Sequence, residues 1–175
     1  MQTPLHIIVL AAGQGKRMHS ALPKVLHPVL FRPMIHHVLD LAQSLSPTSL
    51  TVIVGHGEDQ VRAACADYPS VRFARQAEQK GTGHAVQQAA PLLEGQKGRV
   101  LILSGDVILL TTSTLRPLLN APGEANVLTA EVETPKGYGR ILRAANGQVS
   151  AIREQADCTP DQAAIREVSS GVYVF

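Results

Sequence analysis

Apolar runs, separated by turns that contain glycine or proline, divide the first 120 residues into strands that alternate with helices. Near-continuous apolar runs are typical of strands buried on both faces of a parallel sheet. They predict strands at residues 5–11, 50–54, 71–74 and 100–103. Helical spacing of apolar residues predicts helices at residues 33–44, 58–66, 85–93 and 114–119, with Pro33 at a first helical position and Thr82 as an N-cap.

The pattern changes after residue 123, where strand-like segments follow one another without intervening helices. These segments are residues 126–132, 139–142, 148–152 and 168–175. Alternation followed by strands alone predicts an α/β fold, a doubly wound and mostly parallel sheet with antiparallel strands toward the C-terminus. We expect residues 1–175 to form a single domain, since this length and 45% apolar content suffice for one core.

The charge balance argues against a general nucleic-acid binder, because 16 basic and 14 acidic residues leave a formal net charge of only +2. Cys65 and Cys158 have neither metal-ligand nor redox spacing, which predicts free thiols. No apolar run reaches the length of a membrane span, and the amino terminus lacks the features of a signal peptide. We therefore expect a soluble, cytoplasmic protein that binds neither nucleic acid nor membrane.

The first predicted strand runs into a positively charged loop that contains Gly13, Gly15 and Arg17 and is followed by Lys24. Backbone N–H groups at a strand end, with cations behind them, are typical of a phosphate site; a sharp turn without a ligand is the alternative. The loop lacks the glycine-lysine-serine or threonine sequence of a Walker A motif. Met18 also stands where a dinucleotide fingerprint has its third glycine.

Ligands of open α/β sheets bind outside the carboxyl ends of the strands. The Gly13 loop, the Gly55 turn and Ser104-Gly105-Asp106 each follow a predicted strand. We therefore expect these three segments to meet in one crevice.

Several motifs carry a resemblance to a known family. Leu10-Ala11-Ala12-Gly13-x-Gly15-x-Arg17-Met18 with Pro23-Lys24 resembles the signature loop of sugar-nucleotide pyrophosphorylases, a nucleotidyltransferase family with a Rossmann-like fold. Further segments resemble one subfamily, the uridylyltransferase domains of the bacterial bifunctional N-acetylglucosamine-1-phosphate uridyltransferases and glucosamine-1-phosphate acetyltransferases. They are Gln76-Ala77-Glu78-Gln79, Gly81-Thr82-Gly83-His84-Ala85, Gly105-Asp106-Val107, Gly137-Tyr138-Gly139-Arg140-Ile141 and Glu154-Gln155, in order and at similar spacing over nearly the whole chain.

Three positions depart from the subfamily pattern. Ser104 stands where tyrosine is usual, Ile108 where proline is usual, and Ser169-Ser170 where an asparagine-threonine pair precedes glycine. The chain also stops at Phe175, before the rest of the pyrophosphorylase domain, with its asparagine ligand for magnesium, and before the acetyltransferase domain. We therefore expect a pyrophosphorylase domain truncated at its C-terminal end, and a monomer or weak oligomer, since the subfamily's trimer is built by the acetyltransferase domain.

The resemblance implies that the phosphate of N-acetylglucosamine-1-phosphate attacks the α-phosphorus of UTP. The products would be pyrophosphate and UDP-N-acetylglucosamine, a precursor for peptidoglycan and lipopolysaccharide. Arg17, Lys24 and Asp106 would be catalytic, with Asp106 also a ligand of Mg²⁺. The implied substrate-binding residues are Leu10, Ala11, Ala12, Gly13, Gly15, Lys24, Gln76, Gly81, Thr82, Ser104, Gly105, Gly139, Glu154 and Ser169.

Each implied role has a structural alternative. Lys24, like Arg17, could be a solvated cation, Asp106 a turn residue and Gln76 a loop cap; Gly139 and Glu154 could be a strand bend and a surface acid. The seven histidines include no pair with ligand spacing, and we expect His84 to serve helix-start structure rather than catalysis. Two other functions stay open: a nucleotide-sugar-binding module without turnover, and a related pyrophosphorylase with a different base or sugar.

Overall fold

An eight-stranded sheet forms the centre of the computed structural model, which describes residues 3–15 and 18–175. Its strands are β1 (Leu5–Leu10), β4 (Ser49–Val54), β5 (Val71–Arg75), β6 (Arg99–Ser104), β7 (Asn126–Glu131), β8 (Arg140–Arg143), β9 (Val149–Arg153) and β10 (Glu167–Val174). Strands β2 (Pro28–Val29) and β3 (Arg32–Pro33) form a separate two-stranded sheet. The helices are α1 (Met34–Ser44), α2 (Glu58–Ala64), α3 (Thr82–Gln87), α4 (Ala90–Leu93), α5 (Thr112–Asn120) and α6 (Pro160–Ala163).

The predicted parallel half of the sheet is confirmed, with strand order β5-β4-β1-β6. Ile8 of β1 lies opposite Thr51 of β4 on one side and Ile102 of β6 on the other. Side chains of β1 alternate between two buried clusters, with Ile7 in one and Ile8 in the other. Because both faces are covered, these strands need apolar residues at successive positions, which is why they read as continuous runs.

The predicted antiparallel strands are also confirmed, and β10 connects them to the parallel half. Its C-terminal part pairs with β6, where Tyr173 lies opposite Ile102, and its N-terminal part pairs with β8 through Val168 and Arg140. β7 pairs with β10 across an irregularity in register between Ser169 and Tyr173, and β9 pairs with β8 at the sheet edge. The antiparallel strands thus extend the sheet beyond the β6 edge.

Three local predictions differ from the structure. The helix predicted at residues 85–93 is two short helices, α3 and α4, because Pro91 has no N–H to continue the helical ladder. Thr82 is the first residue of α3 rather than its N-cap, which is Gly81 with φ of 97°. Pro33 lies in β3 and is the N-cap of α1 rather than its first residue, since its ψ of 140° is extended.

Two elements were not predicted: the short β2–β3 hairpin and the helix α6. α6 begins with a capping box in which Thr159 Oγ1 accepts a hydrogen bond from the N–H of Gln162. Both cysteines are free thiols, as their spacing predicted. Across the part of the chain that the structure describes, every helix is too short or too polar to cross a bilayer.

Candidate functional site

A cavity of about 390 Å³ opens at the carboxyl ends of β1 and β6. Eleven residues predicted for the site line it: Leu10, Ala11, Ala12, Gly13, Gly15, Lys24, Gln76, Gly81, Thr82, Ser104 and Asp106. Val25, Gln79 and Ala85 complete the lining. Segments from four separate parts of the chain therefore meet in one crevice.

Hydrogen bonds connect the glycine loop, the segment after β1 that contains Gly13 and Gly15, to its neighbours. The Ala12 carbonyl accepts from the N–H of His56 at 3.2 Å and from Nε2 of Gln79 at 2.8 Å. The N–H of Gly105 donates to the Leu10 carbonyl at 2.9 Å. Hydrogen bonds thus join the Gly55 turn and the Ser104-Gly105-Asp106 segment to the loop. Ser104 and Asp106 line the cavity as expected, whereas the Gly55 turn does not line it.

The loop keeps a run of backbone donors without acceptors. The N–H of Ala11 donates to the Ile53 carbonyl at 2.9 Å, which continues the sheet. Within residues 3–15 and 18–175, the N–H groups from Ala12 to Gly15 have no acceptor. Successive N–H groups of this kind are suited to bind an anion.

The two glycines of the loop meet different requirements. Gly15 has φ of 62°, and a Cβ atom there would lie 2.7 Å from Cβ of Lys24, so a larger residue would displace Lys24. A Cβ atom on Gly13 would meet nothing within 4 Å. The fold itself therefore needs glycine at Gly15, whereas Gly13 leaves open space on the cavity side.

Lys24 and Asp106 form an ion pair in the cavity. Lys24 begins the 3-10 helix Lys24–Leu26, whose next residue, Val25, is buried. Gly105 has no side chain to keep Val25 away, since a Cβ atom there would lie only 2.9 Å from Cγ1 of Val25. This close packing brings Asp106, the residue after Gly105, beside Lys24, the residue before Val25.

Asp106 is held as a carboxylate. Burial raises its pKa, but hydrogen bonds from Lys24 and Ser104 and the charge of Lys24 outweigh burial, so the pKa lies below its ordinary value. The Ser104 hydroxyl donates to Oδ1 of Asp106 at 2.5 Å. Ser104 therefore contacts the carboxylate directly.

Gln76 is 5% exposed, and its side chain lies at the cavity wall. Its Nε2 donates to the Gly81 carbonyl at 3.1 Å and lies 3.0 Å from Nδ1 of His84. Gln76 thus connects the start of the segment at residues 76–84 to its end through the Gly81 carbonyl and the His84 ring.

Three predicted residues form a separate group that does not line the cavity. The N–H of Ser169 donates to the Gly139 carbonyl at 2.9 Å. A Cβ atom on Gly139 would lie 3.3 Å from Oε1 of Glu154, so Glu154 packs against this glycine. Tyr173 of β10 lies opposite Ile102 of β6, and the two strands are antiparallel. Ser169, four residues before Tyr173, therefore lies beyond the carboxyl end of β6, on the same side of the sheet as the cavity.

The prediction for Arg17 lies outside the described residues. Gln79 was missed as a site residue although it lies in a motif that carries the resemblance. Its Nε2 donates to the Ala12 carbonyl, 67 positions away in the sequence. A glutamine in a loop gives no signal of such a contact in the sequence.

The residues present fit a cation that takes most of its ligands from a substrate. Among the described residues, no group of three or more histidine, cysteine, aspartate or glutamate side chains could hold a metal ion. Asp106 supplies one ionised carboxylate in the cavity. Mg²⁺ commonly uses one or two carboxylates and completes its shell with phosphate oxygens and water.

A larger cavity of about 680 Å³ lies elsewhere and is lined mainly by apolar residues, among them Val86, Leu93, Val100 and Phe175. Its size exceeds that of the glycine-loop cavity, but it lacks a cluster of convergent polar groups. The glycine-loop cavity is therefore the candidate site, because placed polar groups rather than volume define recognition.

Solved structures share this fold. A Bacillus anthracis protein described as a glucose-1-phosphate thymidylyltransferase aligns with a TM-score of 0.81, at 22% identity, over 98% of this chain and 71% of that one. A UDP-glucose pyrophosphorylase complexed with UDP-glucose aligns with a TM-score of 0.79, at 17% identity, over 98% and 76%. The architecture is therefore that of Rossmann-like nucleotidyltransferases.

The chain belongs to the MobA-like NTP transferase domain family, whose model matches residues 7–170. It is 51% identical over 172 residues to the bifunctional protein GlmU of Xanthomonas oryzae pv. oryzae, covering 98% of this chain. It is 53% identical over 172 residues to that of Burkholderia multivorans, covering 97%. The chain spans 38% of the length of each of these relatives.

Proposed function

We propose that this domain transfers a uridylyl group from UTP to N-acetylglucosamine-1-phosphate. The observation that carries the proposal is one cavity that combines free loop N–H groups, the Lys24–Asp106 pair and the Gln76 amide. Similarity to GlmU over nearly the whole chain supports the choice of substrates. UDP-N-acetylglucosamine and pyrophosphate are the proposed products.

In the proposed reaction, a phosphate oxygen of the sugar phosphate forms a bond to the α-phosphorus of UTP. The bond from that phosphorus to the β-phosphate oxygen breaks, and pyrophosphate leaves with the electron pair. The attacking phosphate is already ionised at neutral pH, so no side chain has to remove a proton. Alignment and neutralisation of charge are the work left to the protein.

The cavity residues divide this work. The free N–H groups from Ala12 to Gly15 bind phosphate oxygens, and Lys24 places an ammonium beside them. We propose the same charge-neutralising role for Arg17. Asp106 would hold Mg²⁺, which supplies further positive charge to the triphosphate when bound. The Lys24 ammonium lines the same cavity and would bind a phosphate oxygen.

Recognition of the base and of the sugar is assigned to two separate groups of residues. Gln76, with the backbone at Gly81 and Thr82, faces the uracil. Gly139, Glu154 and Ser169 bind the sugar, and their position at the same sheet edge supports this assignment. Ser104 contributes by holding the Asp106 carboxylate.

The first prediction is that Lys24→Ala and Asp106→Asn each lower kcat/KM by about 10²- to 10³-fold, as removal of one charge-stabilising group does in other enzymes. Pyrophosphate release from UTP and N-acetylglucosamine-1-phosphate with MgCl₂ measures the effect, and chelation of the metal is expected to abolish release. Lys97→Ala is the matched control, because Lys97 is exposed and precedes β6 at the opposite sheet edge.

Unchanged turnover in both variants would overturn the assignment of roles. Calorimetry with UTP alone provides an independent measurement of binding. UTP binding by the unmodified chain without pyrophosphate release would support a nucleotide-binding module instead.

A further inference from the structure

His84 lies directly behind the Gln76 amide and contacts its nitrogen. His84 is the third residue of α3, and its Nδ1 lies 3.0 Å from Nε2 of Gln76. The same Nε2 donates to the Gly81 carbonyl at 3.1 Å. Both N–H bonds of the amide are therefore directed into the protein.

The contact with Gln76 defines the tautomer of His84. Nε2 of Gln76 is a donor only, so Nδ1 of His84 must present its lone pair, and the proton of the neutral ring is on Nε2. Gln88 lies one turn further along, and its Nε2 donates to the His84 carbonyl at 3.0 Å. The same Nε2 of Gln88 lies 3.3 Å from the ring Nε2, so Gln88 contacts the other ring nitrogen and leaves the Nδ1 lone pair to Gln76.

The other end of the Gln76 amide is available to a ligand. Within residues 3–15 and 18–175, Oε1 of Gln76 has no hydrogen-bond donor, and the side chain lines the cavity. Reversing the amide would bring Oε1 against the Gly81 carbonyl, which is also an acceptor, and would break the hydrogen bond from Nε2 to Nδ1 of His84. The Gly81 carbonyl and His84 together therefore favour the orientation of Gln76 that has its acceptor toward the cavity.

We propose that His84 is a positioning residue that strengthens base specificity, because it holds the direction of the Gln76 amide together with the Gly81 carbonyl. An acceptor facing the base favours a ring with an N–H at that edge, as in uracil N3–H, and rejects cytosine, whose N3 carries a lone pair. The inference rests on the proposed function, since it requires a nucleotide in this cavity. His84 itself touches no substrate atom in this scheme.

The unmodified chain offers a direct test of the geometry. Long-range ¹⁵N NMR of the imidazole is expected to show the proton of neutral His84 on Nε2. A neutral ring protonated on Nδ1 would overturn the proposal, because Nδ1 could then accept nothing from Gln76.

A substitution series tests the specificity. His84→Leu removes the acceptor, and we expect the ratio of UTP to CTP affinity, and the same ratio of kcat/KM, to fall about tenfold, the size of one hydrogen bond. The loss should appear in KM for UTP more than in kcat. His84→Asn restores an acceptor oxygen near the position of Nδ1 and should recover most of the ratio. His56→Leu is the control, since His56 is an exposed histidine near the cavity whose backbone N–H, rather than its ring, contacts the Ala12 carbonyl of the glycine loop.

The outcomes separate the two proposals. An unchanged ratio in a folded His84→Leu variant, or no recovery in His84→Asn, overturns the role of His84 and leaves the proposed function standing. Failure of the unmodified chain to bind UTP or CTP overturns the proposed function and this inference with it. Circular dichroism of each variant establishes that it is folded before the ratios are compared.

Discussion

Asp106 and Cys65 are both partly withdrawn from water, and burial raises the pKa of each. At Asp106, hydrogen bonds from Lys24 and Ser104 reverse this effect, and the carboxylate is ionised at neutral pH. Cys65 has only burial acting on it, and its pKa rises to about 11. Partners, rather than burial alone, decide whether a residue of this protein carries charge.

The second prediction concerns the two thiols. At pH 8 the thiolate fraction of Cys65 should be about a hundredfold lower than that of a thiol with an ordinary pKa, and the side chain is also buried. Cys158 is partly exposed. We therefore expect a disulfide reagent to label one thiol quickly in the native protein and two after unfolding in urea. Rapid labelling of both thiols in the native state would contradict this.

The β2–β3 hairpin combines two conformations that side chains disfavour. Its central residues, Leu30 and Phe31, have φ of 49° and 65°, and both side chains are exposed. Two-residue hairpins of this kind normally use asparagine and glycine, because both central positions require positive φ. Bulky residues at these positions strain the backbone without burying apolar surface.

The third prediction is that the double substitution Leu30→Asn and Phe31→Gly stabilises the protein by about 1 kcal/mol, after the added flexibility of glycine in the unfolded chain is subtracted. Urea unfolding measures the change. Leu109→Asn controls for loss of exposed apolar surface alone, because Leu109 is equally exposed but does not have positive φ. If the double variant were less stable, the Leu30 and Phe31 side chains would have to stabilise the folded protein by more than the backbone strain costs.

The elements differ in how far the sequence predicts them. The buried strands were predicted correctly because both their faces are apolar, and the glycine loop because its motif is local. The β2–β3 hairpin was missed since Leu30-Phe31 carries no turn signal. The prediction of a single helix at residues 85–93 was wrong, because it followed the helical spacing of apolar residues and gave too little weight to Pro91.

A buried arginine connects the antiparallel strand β8 to the segment at residues 155–163, which ends in helix α6. Arg140 is 1% exposed and donates to the carbonyls of Tyr138 and Ala163 and, at 2.8 Å, to Oε1 of Gln155. Among the described residues it has no carboxylate partner. The guanidinium therefore serves as a cross-link between chain segments rather than as half of an ion pair.

The fourth prediction is that Arg140→Leu lowers the free energy of unfolding by about 3 kcal/mol, because the buried guanidinium is lost and its three acceptors, the Tyr138 and Ala163 carbonyls and Oε1 of Gln155, lose their donor. Arg143→Leu is the control, since Arg143 lies on the same strand and pairs with Glu167 at the surface. We expect that variant to unfold at nearly the unmodified urea concentration. Equal effects of the two substitutions would contradict the cross-link.

At the scale of the whole chain, the sequence located the crevice but not its contacts. The positions of Gly13 and Asp106 after strands sufficed to predict that they line one crevice, because parallel strands end at one side of the sheet. The Gly55 turn contacts the loop but does not line the cavity. The Lys24–Asp106 pair and the contact of Gln79 with the Ala12 carbonyl depend on side-chain packing between distant segments. Such contacts have no periodicity and no motif from which they could be read.

The position of β10 in the sheet also orders events during synthesis. Strands β5, β4, β1 and β6 come from residues before 105, so that half of the sheet can assemble on the ribosome. Among the described elements, β7 pairs only with β10, which begins 36 positions after β7 ends, at Glu167. While those residues are translated, β7 is an unpaired strand, and this interval is when the nascent chain offers an open strand edge to other chains.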